Sequence, residues 1–276
     1  MNIRIGHSPD ADDAFLFYAM TQGKIDLDGI QVTHCMEGIE QLNDRAIRGE
    51  LEMTAISLHA YPYCAGQYLL LPTGASVGDG VGPVVVARED LSLEGLRKKV
   101  VAIPGKRTTA ALLFQLAVGK CALKVLPFDQ ILEAVKEGQV DAGVLIHEGQ
   151  LTYAEQGLRK VLDLGVWWQA QTRLPVPLGI NVIRRSLGTQ AIQKVASTFK
   201  RSLDYAFAHR EEALRYAQGF SRGLDMARTD GFVGMYVNRW SVECRPEGAA
   251  AMQRLLDWAA REKLVPHRVP LEFIEG

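Results

Sequence analysis

Two stretches of this chain repeat one another. IEQLNDRAIRGELEM at 39–53 lies over FDQILEAVKEGQVDA at 128–142 with its apolar positions in step: Leu42 over Ile131, Ala46 over Val135, Gly49 over Gly138, Leu51 over Val140 and Glu52 over Asp141. The offset is constant, 138 − 49 = 89 positions. A period this long, against the roughly 20–50 residues of stacked arrays, describes two similarly built lobes. Each copy reads as an amphipathic helix, a glycine stop and an apolar strand, which is α/β construction.

The register also pairs two strand ends. Ser57 falls opposite Ile146 and Leu58 opposite His147, so the ends of the two strands occupy equivalent places and face one another across a cleft. The second of them, DAGVLIHEGQLTY at 141–153, is an apolar run that stops abruptly in His147 and Glu148. Open α/β sheets place ligands at the carboxyl ends of their strands.

Around these anchors the pattern predicts strands at 2–6, 29–35, 51–58, 69–72, 84–88 and 99–103, helices at 13–22, 39–48 and 108–118, and a return strand at 180–183. Beyond it lie three helices without intervening strands, 189–218, 226–238 and 246–263, with Pro246 suited to a first helical turn. This gives residues 1–88 and 179–276 as one discontinuous lobe with C-terminal helices, and 89–178 as the other. The glycine-rich connection GASVGDGVGP matches neither G-x-x-x-x-G-K-[ST] nor a helix-opening G-x-G-x-x-G, so it reads as a turn or hinge.

Composition narrows the partners. With 276 residues, 47% of them hydrophobic, the chain buries a sizeable core. A net charge of -1 with scattered Lys and Arg leaves no footprint for nucleic acid or an anionic membrane, and small molecules are the expected ligands. Cys35, Cys64, Cys121 and Cys244 stand apart, without metal-ligand spacing. No stretch reaches the about 18 apolar residues of a membrane span, and the opening MNIRIGHSPDADD has no basic-then-apolar leader pattern, so the expected location is the cytoplasm.

Each candidate site residue has a plain structural alternative. His147 is a general base near neutral pH, with an unperturbed pKa of about 6.5, or a histidine that ends a strand by bonding a carbonyl. Ser57 is a hydroxyl donor to a ligand or a capping serine, and no G-x-S-x-G elbow makes it a nucleophile. PGKRTTA at 104–110 opens a helix, and its free N–H groups with the Thr108 and Thr109 hydroxyls suit a carboxylate or simply cap the helix. The acidic run at 8–13 invites a metal but lacks further ligands at a defined spacing, and capping explains it more cheaply. His59, Tyr61, Tyr63, Trp167 and Trp168 are candidates for cleft walls or for packing.

SPDADDAFLFYAM, TAISLHAYPY, PGKRTTAALL, VLIHEGQLTY and LDLGVWWQAQTRLPVPLG, in this order over essentially the whole chain, resemble the 1,4-dihydroxy-6-naphthoate synthase family of the futalosine route to menaquinone. The resemblance implies a two-lobed, periplasmic-binding-protein-like (type II) fold, with a mixed sheet and flanking helices in each lobe. It implies a carbon–carbon lyase that converts cyclic dehypoxanthine futalosine into 1,4-dihydroxy-6-naphthoate without a cofactor or metal. It also implies His147 of the HEG motif as proton acceptor and Ala55, Ser57, Thr108 and Thr109 as contacts to a small carboxylate substrate, in a monomer or homodimer. The first loop departs from the family's frequent S-P-C-P-N-D-T-F, keeping Ser8, Pro9, Asp13 and Phe15. The alternatives are the related chorismate dehydratase and a non-catalytic solute-binding protein.

Overall fold

A computed structural model describes residues 1–275. Eleven strands form two sheets: β1 Asn2–His7, β2 Gln31–Met36, β3 Met53–Ser57, β4 Tyr68–Leu70, β5 Ser76–Gly78, β6 Val84–Ala87, β7 Val100–Ile103, β8 Ala122–Val125, β9 Ala142–Leu145, β10 Arg159–Asp163 and β11 Val176–Arg184. One sheet runs β2-β1-β3-β11-β4, with β5 also on β11, and the other runs β10-β6-β9-β7-β8. Both are mixed. In each, three parallel strands joined by helical crossings are flanked by antiparallel strands, β11 on β3 and β6 on β9.

The repeat is therefore a repeat of topology, and β2-β1-β3 in one lobe corresponds to β8-β7-β9 in the other. The register refines the offset. β3 and β9 keep the 89-residue spacing, whereas Ile5 pairs with Met53 as Val101 pairs with Ala142, a spacing of 101 − 5 = 96. The extra residues lie in the first lobe, where the helix Ala11–Thr21 is followed by nine connecting residues before β2. Val118 and Ala122 bound the shorter connection in the second lobe.

Pairing corrects the division at residue 88. β6 lies in the second sheet, antiparallel to β9, so the chain crosses between lobes before Val84 and not after Arg88. It returns before Val176, where β11 joins β3 and β5, a few residues earlier than position 179. VVVA is buried on both faces, and a short apolar run of this kind carries no sign of which sheet it completes.

The first lobe is thickened by the C-terminal helices. Ile192, Val195, Phe199, Leu203 and Ala206 make a helical stripe along Thr189–Ala208 that packs on Phe15, Phe17 and Met20 of Ala11–Thr21. The expected single helix to residue 218 is two: His209, at φ -120 and ψ 47, leaves helical geometry, and Arg210–Gln218 turns so that Ala213, Leu214 and Ala217 reach the same core. Pro246 stands just before its helix, Glu247–Arg261, at the cap position. No helix among the described residues is long and apolar enough to cross a membrane.

Candidate functional site

A cavity lies where the two lobes meet, and its walls come from equivalent corners of both. From the first lobe come the turn after β1 with Ser8, Asp10, Asp12 and Asp13, and the strand floor of Ala55, Ser57, Gly179 and Asn181. From the second come Thr108, Thr109 and Ala110 at the start of Thr109–Val118, and Ile146 at the end of β9. The floor follows from pairing: Ser57 stands opposite Gly179 and Ala55 opposite Asn181, so all four project from one face of the sheet.

Ser57 is held by Asn43, a buried residue that accepts from the Ser57 N–H (2.8 Å) and donates to its Oγ (3.2 Å). The hydroxyl hydrogen remains available to a ligand. The threonines divide their roles. Thr108 Oγ1 caps the helix, accepting from Ala111 N–H (3.3 Å) and donating to Gly105 carbonyl (2.9 Å). Thr109 Oγ1 donates to Leu178 carbonyl (2.5 Å) and accepts from His59 N–H (3.2 Å). Both hydroxyls thus brace the fold, and the first-turn N–H groups of Thr109 and Ala110 are the donors that face an incoming anion.

Ile146 lines the cavity, and His147, which follows it in the chain, is buried. Its Nε2–H donates to Phe128 carbonyl (2.9 Å) and its Nδ1 accepts from Gly149 N–H (2.9 Å), a pairing that defines the neutral tautomer. Burial lowers its pKa below the usual histidine range. Glu148, 2% exposed, bonds Arg222 (2.7 Å), and Arg222 also pairs with Asp10 (2.7 Å) and lies over the Phe128 ring (4.9 Å). Burial raises the Glu148 pKa, and its Oε1 has no hydrogen-bond partner among the described residues.

Among the described residues no group of three or more His, Cys, Asp and Glu side chains is arranged to hold an ion, and the acidic run is held by local hydrogen bonds. Asp13 accepts from Ser8 N–H (2.6 Å), and Asp10 accepts from the Ser8 hydroxyl (2.9 Å). Burial pushes the Asp13 pKa up to about 6, and it pushes that of Asp12, which borders the cavity, up as well.

Of the other candidates Tyr63 is exposed, with the Arg107 guanidinium over its ring (5.4 Å), and the rest pack. Trp168 and Tyr61 are fully buried, with Trp168 Nε1–H on Pro175 carbonyl (2.9 Å). His59 bridges the carbonyls of Thr108 (3.2 Å) and Leu264 (3.3 Å). Sequence reading missed Asn43, Asn181, Arg222 and Tyr236. An Asn inside the apolar run LGINVI is a legible anomaly, whereas Arg222 and Tyr236 carry no local signal.

Both flanks of the cavity are bridged. On one, Arg222–Glu148, Arg228–Glu155 (2.5 Å) and the Tyr236 hydroxyl on Gln150 (2.9 Å) join the C-terminal segments to the second lobe. On the other, Arg107 N–H bonds Glu40 (3.1 Å) and its guanidinium pairs with Asp44 (2.8 Å).

Paired α/β lobes with a cavity between them define the class, a two-lobed periplasmic-binding-protein-like fold. The alkanesulfonate-binding protein of Xanthomonas axonopodis pv. citri, solved with MOPS, has this fold (TM-score 0.74, 15% identity, 98% of this chain and 96% of that one). Within that class the chain belongs to the menaquinone biosynthesis family, whose model matches residues 3–261. It is similar to the 1,4-dihydroxy-6-naphthoate synthases of Thermus thermophilus (40% identity, 98% of each chain) and Streptomyces coelicolor (37%, 96% of this chain and 95% of that one). It also resembles a crystal structure of a protein from Archaeoglobus fulgidus (TM-score 0.91, 47% identity, 96% and 98% covered).

Proposed function

We propose that the chain is a 1,4-dihydroxy-6-naphthoate synthase, a carbon–carbon lyase that converts cyclic dehypoxanthine futalosine into the naphthoate. The observation that carries this reading is the convergence on one interlobe cavity of the helix start at Thr109, the Ser57 hydroxyl and Ile146, the residue that precedes His147. The names of the two whole-chain relatives support the naphthoate as product.

In this mechanism the substrate carboxylate lies on the N–H groups of Thr109 and Ala110 and on the Ser57 hydroxyl, in a site that lobe closure shields from water. Ala55 and Gly179, diagonal neighbours on the floor, leave room for a flat ring. Neutral His147 takes a proton from the substrate at Nδ1, exchanging the Gly149 N–H for it. Phe128 carbonyl holds Nε2–H and fixes that tautomer, and the Glu148 carboxylate, 3.8 Å from Nδ1, favours the imidazolium that forms. The bond to the sugar-derived fragment then breaks and the ring becomes aromatic, which supplies driving force without a cofactor.

Purified protein mixed with cyclic dehypoxanthine futalosine is expected to release 1,4-dihydroxy-6-naphthoate, followed by mass spectrometry. Loss of water from chorismate instead would reassign the chain as a dehydratase. Tight binding of the futalosine derivative without turnover would make it a solute-binding protein.

A further inference from the structure

Asn181 is the polar anomaly of the cavity. It sits mid-strand in β11, 1% exposed, in a run that is otherwise apolar or small, opposite Ala55 on the cavity floor. Its Nδ2 donates to Gly74 carbonyl (2.9 Å), and this bond fixes which way the amide points, because a carbonyl accepts only from the nitrogen. The Oδ1 is left without a hydrogen-bond partner among the described residues although fully buried.

The surroundings hold that orientation. Gly74 has φ +79, in the left-handed region glycine adopts readily, and a Cβ there would stand 2.7 Å from Asn181 Nδ2 and 2.5 Å from the Phe199 ring. The glycine thus lets the amide approach its own carbonyl. A buried acceptor with no partner costs about 1–3 kcal/mol, so a protein that retains one in a ligand cavity has a use for it. The other ligand-facing groups described above, the helix-start N–H pair and the Ser57 hydroxyl, are donors suited to a carboxylate.

We propose that Asn181 is a specificity-determining substrate contact whose Oδ1 accepts a hydrogen bond from a hydroxyl group of the ligand, so that the cavity takes a carboxylate that also carries hydroxyl donors. The inference rests on the naphthoate reading of the site and adds to it the residue that separates a hydroxylated ligand from its bare skeleton. A site that hydrogen-bonds a ligand hydroxyl discriminates against the analogue lacking it, because the protein group is then stranded.

The test is a two-by-two comparison of dissociation constants by calorimetry, using 1,4-dihydroxy-6-naphthoate and naphthalene-2-carboxylate on the wild-type protein and on Asn181→Ala. Wild type is expected to prefer the dihydroxy compound by roughly tenfold or more, and the variant to lose about fivefold to tenfold of that preference. Its affinity for naphthalene-2-carboxylate should stay within about twofold of wild type, which also reports that the variant is folded. Should Asn181→Ala not fold, Asn181→Ser, whose hydroxyl is too short to take over the Oδ1 position, enters the same comparison with the same expectation. Equal binding of both ligands by wild type, or a preference unchanged in the variant, overturns the inference while leaving the functional reading standing. Failure of wild type to bind either ligand overturns both.

Discussion

The turn from β1 into Ala11–Thr21 and the turn from β7 into Thr109–Val118 occupy the same place in the two lobes, and they do opposite things. By helix position Asp10 corresponds to Thr108 as the cap residue, and Ala11 and Asp12 correspond to Thr109 and Ala110. Each delivers a helix start to the cavity. In the first lobe the helix start carries carboxylates of its own, Asp12 and Asp13 in its first turn, and Asp13 accepts from Ser8 N–H. In the second, a single hydroxyl cap at Thr108 leaves the N–H groups of Thr109 and Ala110 for a ligand. A helix start suits an external anion better where the chain supplies no carboxylates of its own, and the two lobes differ in this respect.

The largest effect expected concerns the reaction placed between these corners. His147→Ala should fold and bind substrate while kcat falls about 10²–10⁴-fold, and steady-state turnover compared with ligand binding separates the two. Because burial holds the wild-type imidazole below the usual range, it stays neutral through pH 7, and kcat should fall only on acidification below that range. A pH–rate profile with its acid limb above about 6.5 would break the assignment.

Arg222→Gln tests the acidic corner's reach into the other lobe. It strands Glu148 and should cost on the order of 2 kcal/mol, between exposed and fully buried pairs, in thermal unfolding. Adding Glu148→Gln should restore most of the loss. If it does not, Arg222 acts through packing on Phe128.

Asp12→Asn should stabilise by about 1 kcal/mol at pH 8, since the carboxylate is disfavoured in the folded state. With the folded pKa raised, protonation favours folding, so wild type gains stability as pH falls through that value. The gap between the two proteins should therefore close near the unfolded value of about 3.9. A gap independent of pH would show that charge is not its origin. The smallest effect sharpens the donor corner: Thr108→Ala should cost about 1 kcal/mol of stability for the lost cap, with carboxylate affinity nearly unchanged because the contacts are backbone groups.

Much of this architecture is written locally. The helix–glycine–strand repeat located β3, β9 and the helices before them to within a few residues, because amphipathic period and glycine stops are short-range signals. What failed was pairing. Nothing in VVVA distinguishes a strand of the first sheet from one of the second, and nothing near His209 announces a bend set by the core it must reach. The same limit applies at the site. Ala55, Ser57, Thr108 and Thr109 lie together on the cavity, yet both threonine hydroxyls are engaged by the protein, a division that only the partners Leu178, Gly105 and His59 reveal. Arg222 is 74 residues from Glu148, beyond any local reading.

The bridges on both flanks of the cavity bear on kinetics as much as on shape. Arg107 is tied to Asp44 on one side and Arg228 to Glu155 on the other, and to the extent that ligand entry needs a flank to part, the apparent affinity is the intrinsic one reduced by the fraction of parted molecules. These pairs are largely exposed and therefore sensitive to ionic strength. Raising salt should speed both ligand entry and product escape, measurable by stopped-flow, and where escape limits turnover the enzyme would run faster as its electrostatic clasps weaken.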